Sequence, residues 1–111
     1  MITRKLCEKD LTLPTLYILN SKGKLNTSEL KDEIITLLNP GGENLDPLLN
    51  RPDTKITQII RNIISHKETS TNIINRGLIK YSDITGDISI TNDGIIYLDK
   101  YITNKIVKDI N

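Results

Sequence analysis

Two stretches, DTKITQIIRNIISHK at residues 53–67 and GLIKYSDITGDISITNDGIIYL at residues 77–98, decide how this chain folds. In the first, Ile56, Ile59, Ile60, Ile63 and Ile64 recur at three- and four-residue spacing, which is one apolar face of a helix. The other face carries Lys55, Gln58, Arg61, Asn62, Ser65 and His66, donors and basic groups with no carboxylate among them. In the second stretch, Leu78-Ile79-Lys80-Tyr81 and Ile88-Ser89-Ile90-Thr91 flank Thr85-Gly86-Asp87. That is the pattern of two strands joined by a turn, with glycine supplying the permissive backbone.

Working outward, residues 1–10 lack periodicity and read as an N-terminal arm or short extended segment. Leu13, Leu16, Tyr17 and Leu19 predict a first helix from near Pro14, a residue tolerated in the first turn, to Lys22-Gly23. Asn26-Thr27-Ser28-Glu29 supplies capping residues for a second helix, with Leu30, Ile34, Ile35, Leu37 and Leu38 as its apolar stripe. Asn39-Pro40-Gly41-Gly42 ends it. Asp46-Pro47-Leu48-Leu49 reads as one helical turn, and Asp53 as the cap of a third helix over residues 54–67. Residues 68–71 interrupt, and residues 71–75 resume as a turn with Ile73 and Ile74 inward, closed at Gly77. Thr91-Asn92-Asp93-Gly94 then caps a last helix whose inward candidates are Ile95, Ile96, Leu98, Ile102 and Ile106.

The resulting order, α-α-α-β-β-α, predicts an α+β, mostly α fold. It is that of a winged helix-turn-helix, with three helices, a two-stranded wing and a C-terminal helix over residues 11–111. With 111 residues, 37% of them apolar and neither Phe nor Trp, the core must be branched aliphatic, with Tyr17, Tyr81, Tyr97 and Tyr101 the only phenol rings. A single cysteine, Cys7, excludes an intramolecular disulfide and fits a reducing cytoplasm. No apolar run approaches the roughly 20 residues of a membrane span.

The net charge of +1 predicts no partner, but its distribution does. Residues 1–50 net −1, residues 51–80 net +4 and residues 81–111 net −2. The positive charge therefore gathers on the third helix and its flanks, where a surface tracking phosphates needs it. Lys55, Gln58, Asn62 and Ser65 share one stripe of that helix. Gln58 and Asn62 can pair with adenine in the major groove, and Lys55 and Arg61 with guanine or phosphate. Arg61 and Asn62 can equally bind backbone carbonyls and brace the wing. His66 either meets the helix dipole or joins Lys67 on a phosphate. Arg51 and Lys80 complete the candidate set, while Asp83 and Asp87 weaken the wing as a DNA contact.

Other chemistries find no support. One Cys and one His, Cys7 and His66, cannot close a tetrahedral metal site. Gly41-Gly42 lacks the Lys-Ser/Thr of a phosphate-cradling loop. Asp53 and Asp99-Lys100 do not assemble the carboxylate-and-lysine motif of a nuclease. The expectation is a binding module rather than an enzyme, with no cofactor and no metal.

The segments Asn50-Arg51-Pro52-Asp53, Ile60-Arg61-Asn62-Ile63-Ile64-Ser65-His66-Lys67, Gly77-Leu78 and Ile90-Thr91-Asn92-Asp93-Gly94-Ile95-Ile96-Tyr97-Leu98 carry a resemblance. They are similar to the winged-helix domain attached to bacterial restriction endonucleases, related to the N-terminal domain of Mrr-type enzymes. The resemblance runs from about Leu11 to Tyr101. It implies double-stranded DNA binding in a restriction or defence system, with sensitivity to base modification and a fused or partner nuclease domain. This chain departs from that arrangement, since nothing in it reads as the nuclease. A protein–protein docking or dimerisation winged helix, and a stand-alone transcriptional regulator, are the alternatives.

Overall fold

The computed structural model describes residues 1–47 and 54–110. Helix α1 (Thr12–Lys22) follows a 3-10 turn at Glu8–Leu11 and turns Leu16, Ile18 and Leu19 inward. It ends at Gly23, whose φ of 81° suits a residue without a Cβ. A two-residue strand, β1 (Leu25–Asn26), leads into α2 (Thr27–Leu38). Here the expected cap forms reciprocally. The Asn26 side chain accepts from the Glu29 amide at 2.8 Å, and Glu29 accepts from the Asn26 amide at 3.0 Å. Asn39, in the left-handed region, stops the helix.

The connection to the third helix differs from expectation. The 3-10 turn lies at Gly42–Leu45, and Asp46 and Pro47 are extended, with Pro47 bridging to Thr54. Leu48 and Leu49 lie outside the described residues, as does Asp53. The cap of α3 (Lys55–Ser65) is Thr54, whose hydroxyl oxygen accepts from the Thr57 amide at 3.4 Å. The helix is also shorter than periodicity suggested, because a buried side chain from further along closes it. Asn72 donates to the carbonyl of Ile63 at 2.9 Å, satisfying an acceptor that the next helical turn would otherwise take. Residues 71–77 then form a turn closed by two backbone bonds, Leu78 to Ile73 and Gly77 to Ile74, the crossed pair of a glycine-terminated helix end.

The hairpin forms as β2 (Ile79–Tyr81) and β3 (Asp87–Ile90) with a longer loop than read, Ser82 to Gly86. It is joined by β1, giving an antiparallel sheet in the order β1-β3-β2. The pairs are Leu25 with Ile88, Tyr81 with Ile88, Lys80 with Ser89 and Ile79 with Ile90. Alternation sends Ile79 and Ile88 into the core and Lys80 out to solvent.

Helix α4 (Asn92–Ile110) starts on the Thr91 hydroxyl, which accepts from the Gly94 amide at 3.0 Å and donates to the Gly77 carbonyl at 2.6 Å. Gly94 is buried against Leu78, where a Cβ would run into the Leu78 carbonyl and the Ile90 side chain. Of the five inward candidates on this helix only Leu98 is buried. Ile95 is half-buried, and Ile96, Ile102 and Ile106 are 65%, 45% and 53% exposed. The cause is length. At ~1.5 Å per residue α4 spans ~28 Å, and every residue from Tyr101 to Ile110 is exposed.

The first ten residues lie against the body rather than standing off it. Ile2 exchanges backbone bonds with Asn39 and Gly41. Leu6 is buried, and its amide donates to the buried Asn44 side chain at 2.9 Å. Asn44 in turn donates to the carbonyls of Arg4 and Gly41. The architecture is thus α+β and mostly helical, four α-helices and a small antiparallel sheet among the described residues, over a core of Leu and Ile. No helix of the described residues is long and apolar enough to cross a membrane.

Candidate functional site

The polar face of α3 is held outward because Ile56, Ile60 and Ile63 are buried beneath it. Arg61 and Ser65 are exposed on that face; Lys55, Gln58 and Asn62 are half-buried. On the polar face, opposite Ile56, Ile60 and Ile63, spacing predicts an exposed Gln58, and the structure half-buries it. It sits lower because the stripe it shares with Asn62 borders Ile59, which packs against the core. Arg51 lies outside the described residues.

Charge on this surface differs from the sequence tally, because the fold delivers carboxylates from distant positions. At the start of α3 the Lys55 ammonium lies 3.8 Å from Glu43 and 3.9 Å from Asp46. At its end the His66 Nδ1 lies 2.9 Å from Glu8, whose other oxygen accepts from Asn72 at 2.9 Å. Lys67 reaches Asp83 in the hairpin loop at 3.3 Å and lies 5.7 Å from the centre of the Tyr81 ring. The segment that nets +4 in sequence is therefore partly neutralised in space, at both ends of the helix. These pairs are solvent-facing, so each contributes little to stability and yields readily to a competing anion.

Lys67 also joins the end of α3 to the hairpin loop, with its ammonium between Asp83 and the Tyr81 ring. The loop itself is ordered by its own hydroxyls. Ser82 Oγ accepts from the Thr85 amide at 3.2 Å, and Thr85 Oγ1 accepts from the Asp87 amide at 3.3 Å. Lys80 stands on the solvent face of the sheet, away from the α3 stripe.

Cys7 is exposed, and its Sγ donates to Asp10 at 3.2 Å, while His66 is engaged by Glu8. The two do not form a nucleophile and base in contact. Among the described residues no three His, Cys, Asp or Glu side chains cluster to hold a metal ion. Asn72 and Glu8 organise the end of α3, Asn44 ties residues 1–10 to Gly41, and all three escaped sequence reasoning. Asn and Glu are ordinary surface residues, and nothing local distinguishes these three.

No family model matches the chain, nor does any curated protein or solved structure.

Proposed function

We propose that this chain is a winged-helix module that binds double-stranded DNA with α3 in the major groove, within a restriction or defence system. The reading is supported most by one observation. The order α1-β1-α2-α3-β2-β3 leaves the polar stripe of α3 outward and joins its end to the hairpin loop through Lys67 and Asp83. That is the arrangement in which a helix and an adjoining wing meet neighbouring parts of a duplex. Gln58, Arg61, Asn62 and Ser65 would face bases, and Lys55 and Lys67 would exchange their carboxylate partners for phosphates. The test is titration of the chain onto duplex panels, methylated and unmethylated, over a range of salt. Binding that weakens steeply with salt and differs between sequences supports the reading. Absence of binding at low salt rejects it.

A docking or dimerisation role is the second reading, favoured by a separate observation. Leu13, Pro14 and Tyr17 of α1 with Leu98, Tyr101 and Ile102 of α4 line an almost wholly apolar groove of about 330 Å³. Beyond it Ile106 and Val107 are half in solvent. Exposed apolar surface of this kind marks interaction sites. Sedimentation equilibrium distinguishes the readings, since a dimerisation module shows a concentration-dependent mass without DNA.

A further inference from the structure

We propose a second phosphate-binding locus on the exposed face of the sheet, a cross-strand row of Lys24, Ser89 and Lys80 that takes a phosphodiester of the duplex backbone. It rests on the DNA-binding reading above and enlarges the surface beyond α3. The register supplies the row. Leu25 pairs with Ile88 and Asn26 with Asp87, so Lys24, one residue back, falls opposite Ser89. From the other side Lys80 pairs with Ser89 directly. Ile88 is fully buried, so the alternating Ser89 turns to the opposite face, with Lys80 beside it.

Strands lie ~4.8 Å apart, which sets the two lysine Cα atoms ~10 Å from each other across the serine. Side chains of that length bring both ammonium groups to one phosphate. Lys24 and Lys80 are exposed, and among the described residues no carboxylate lies in ion-pair range of either. Lys55, His66 and Lys67, in contrast, each carry a carboxylate partner. The two lysines line a groove of about 420 Å³ with Ser82, Thr85 and Ser89. Ser82 and Thr85 use their oxygens as acceptors within the loop, so their hydroxyl protons remain to donate to a phosphate oxygen.

One feature favours a backbone phosphodiester over a free phosphate. Asp87 also lines the groove, and its charge penalises a dianion more than a singly charged diester.

The test compares wild-type chain with K24A/K80A for duplex binding by fluorescence anisotropy between roughly 50 and 200 mM salt. One lost phosphate contact lowers the magnitude of the log–log salt slope by about one, with equal loss on every sequence. Should the double variant melt early, Lys24→Gln alone, outside the hairpin, must still weaken binding to all sequences. An unchanged slope and affinity in a folded variant overturns the row and leaves α3 as the reader. A wild-type chain that binds no duplex overturns both. Inorganic phosphate is titrated in parallel, with the Ser89 amide followed by NMR. Saturation there with an unchanged duplex slope assigns the row to a free anion and overturns the phosphodiester.

Discussion

Asn72 closes α3 from outside the helix, and its amide is satisfied on every side. It donates to Glu8 and to Ile63, and its oxygen accepts from the amides of Ile74 and Asn75. Asn72→Ala leaves buried groups unpaired, so unfolding free energy should fall by roughly 1–3 kcal/mol. Urea denaturation checks this, and a change within experimental error would refute the role. Asp10 makes a prediction in pH. Hydrogen bonds from Arg4 and from the Cys7 amide hold its carboxyl well below the usual carboxylate range. A depressed folded value stabilises the fold above the unfolded value of about 4 and withdraws that support as pH falls below it. The urea midpoint of wild-type should therefore drop between neutral pH and pH ~3 more than that of Asp10→Asn. The difference is small, since Arg4 is two-thirds exposed. Gln58 tests recognition. Gln58→Ala should cost about 1–3 kcal/mol on a preferred duplex, leave non-specific binding unchanged and keep the melting temperature. Equal affinity for the preferred site would point away from α3 as the reader.

Elements were legible where a local rule suffices. The Asn26–Glu29 cap, the stop at Gly23 and the isoleucine face of α3 are each written in a few consecutive residues, and each is in the structure. Features set by distant partners were not. β1 is two residues long and exists because β3 pairs with it, and α3 ends early because Asn72 arrives from beyond it. The outer half of α4 has a helical apolar spacing but no described element covers it, and periodicity cannot report a missing surface. Gly94 offers a direct test at this scale. A methyl group there pushes α4 off the Leu78 carbonyl, which is backbone and cannot swing aside. Gly94→Ala should destabilise by about 1–3 kcal/mol, the range for forced overpacking. Thermal melting measures it, and a stability equal to wild-type would mean that the helix start shifts freely.

Across the whole molecule, the candidate surface was half legible. Residue identities on α3 followed from spacing, but its electrostatics did not, because Glu8, Glu43, Asp46 and Asp83 come from three other regions of the chain. A window of sequence charge counts only what is near in number. If those carboxylates compete with DNA, removing one strengthens binding. Asp83→Asn frees Lys67 and should tighten duplex affinity by up to about fivefold at low salt, the equivalent of a surface ion pair. Fluorescence anisotropy reads this, and unaltered affinity would take Lys67 off the phosphate path.

The segment held by Asn44, Glu8 and Asp10 also fixes an order of events during synthesis. Residues 1–10 are made before the residues that hold them to the body, which lie 37 to 64 positions downstream. At about 5–20 residues per second, Glu8 waits on the order of several seconds before Asn72 emerges. Closing so long a loop is entropically slow, so these contacts form late and are the first to open. In a folded chain, amide protons near Leu6 should exchange before those of Ile60 or Ile88, which are buried within a helix and a paired strand.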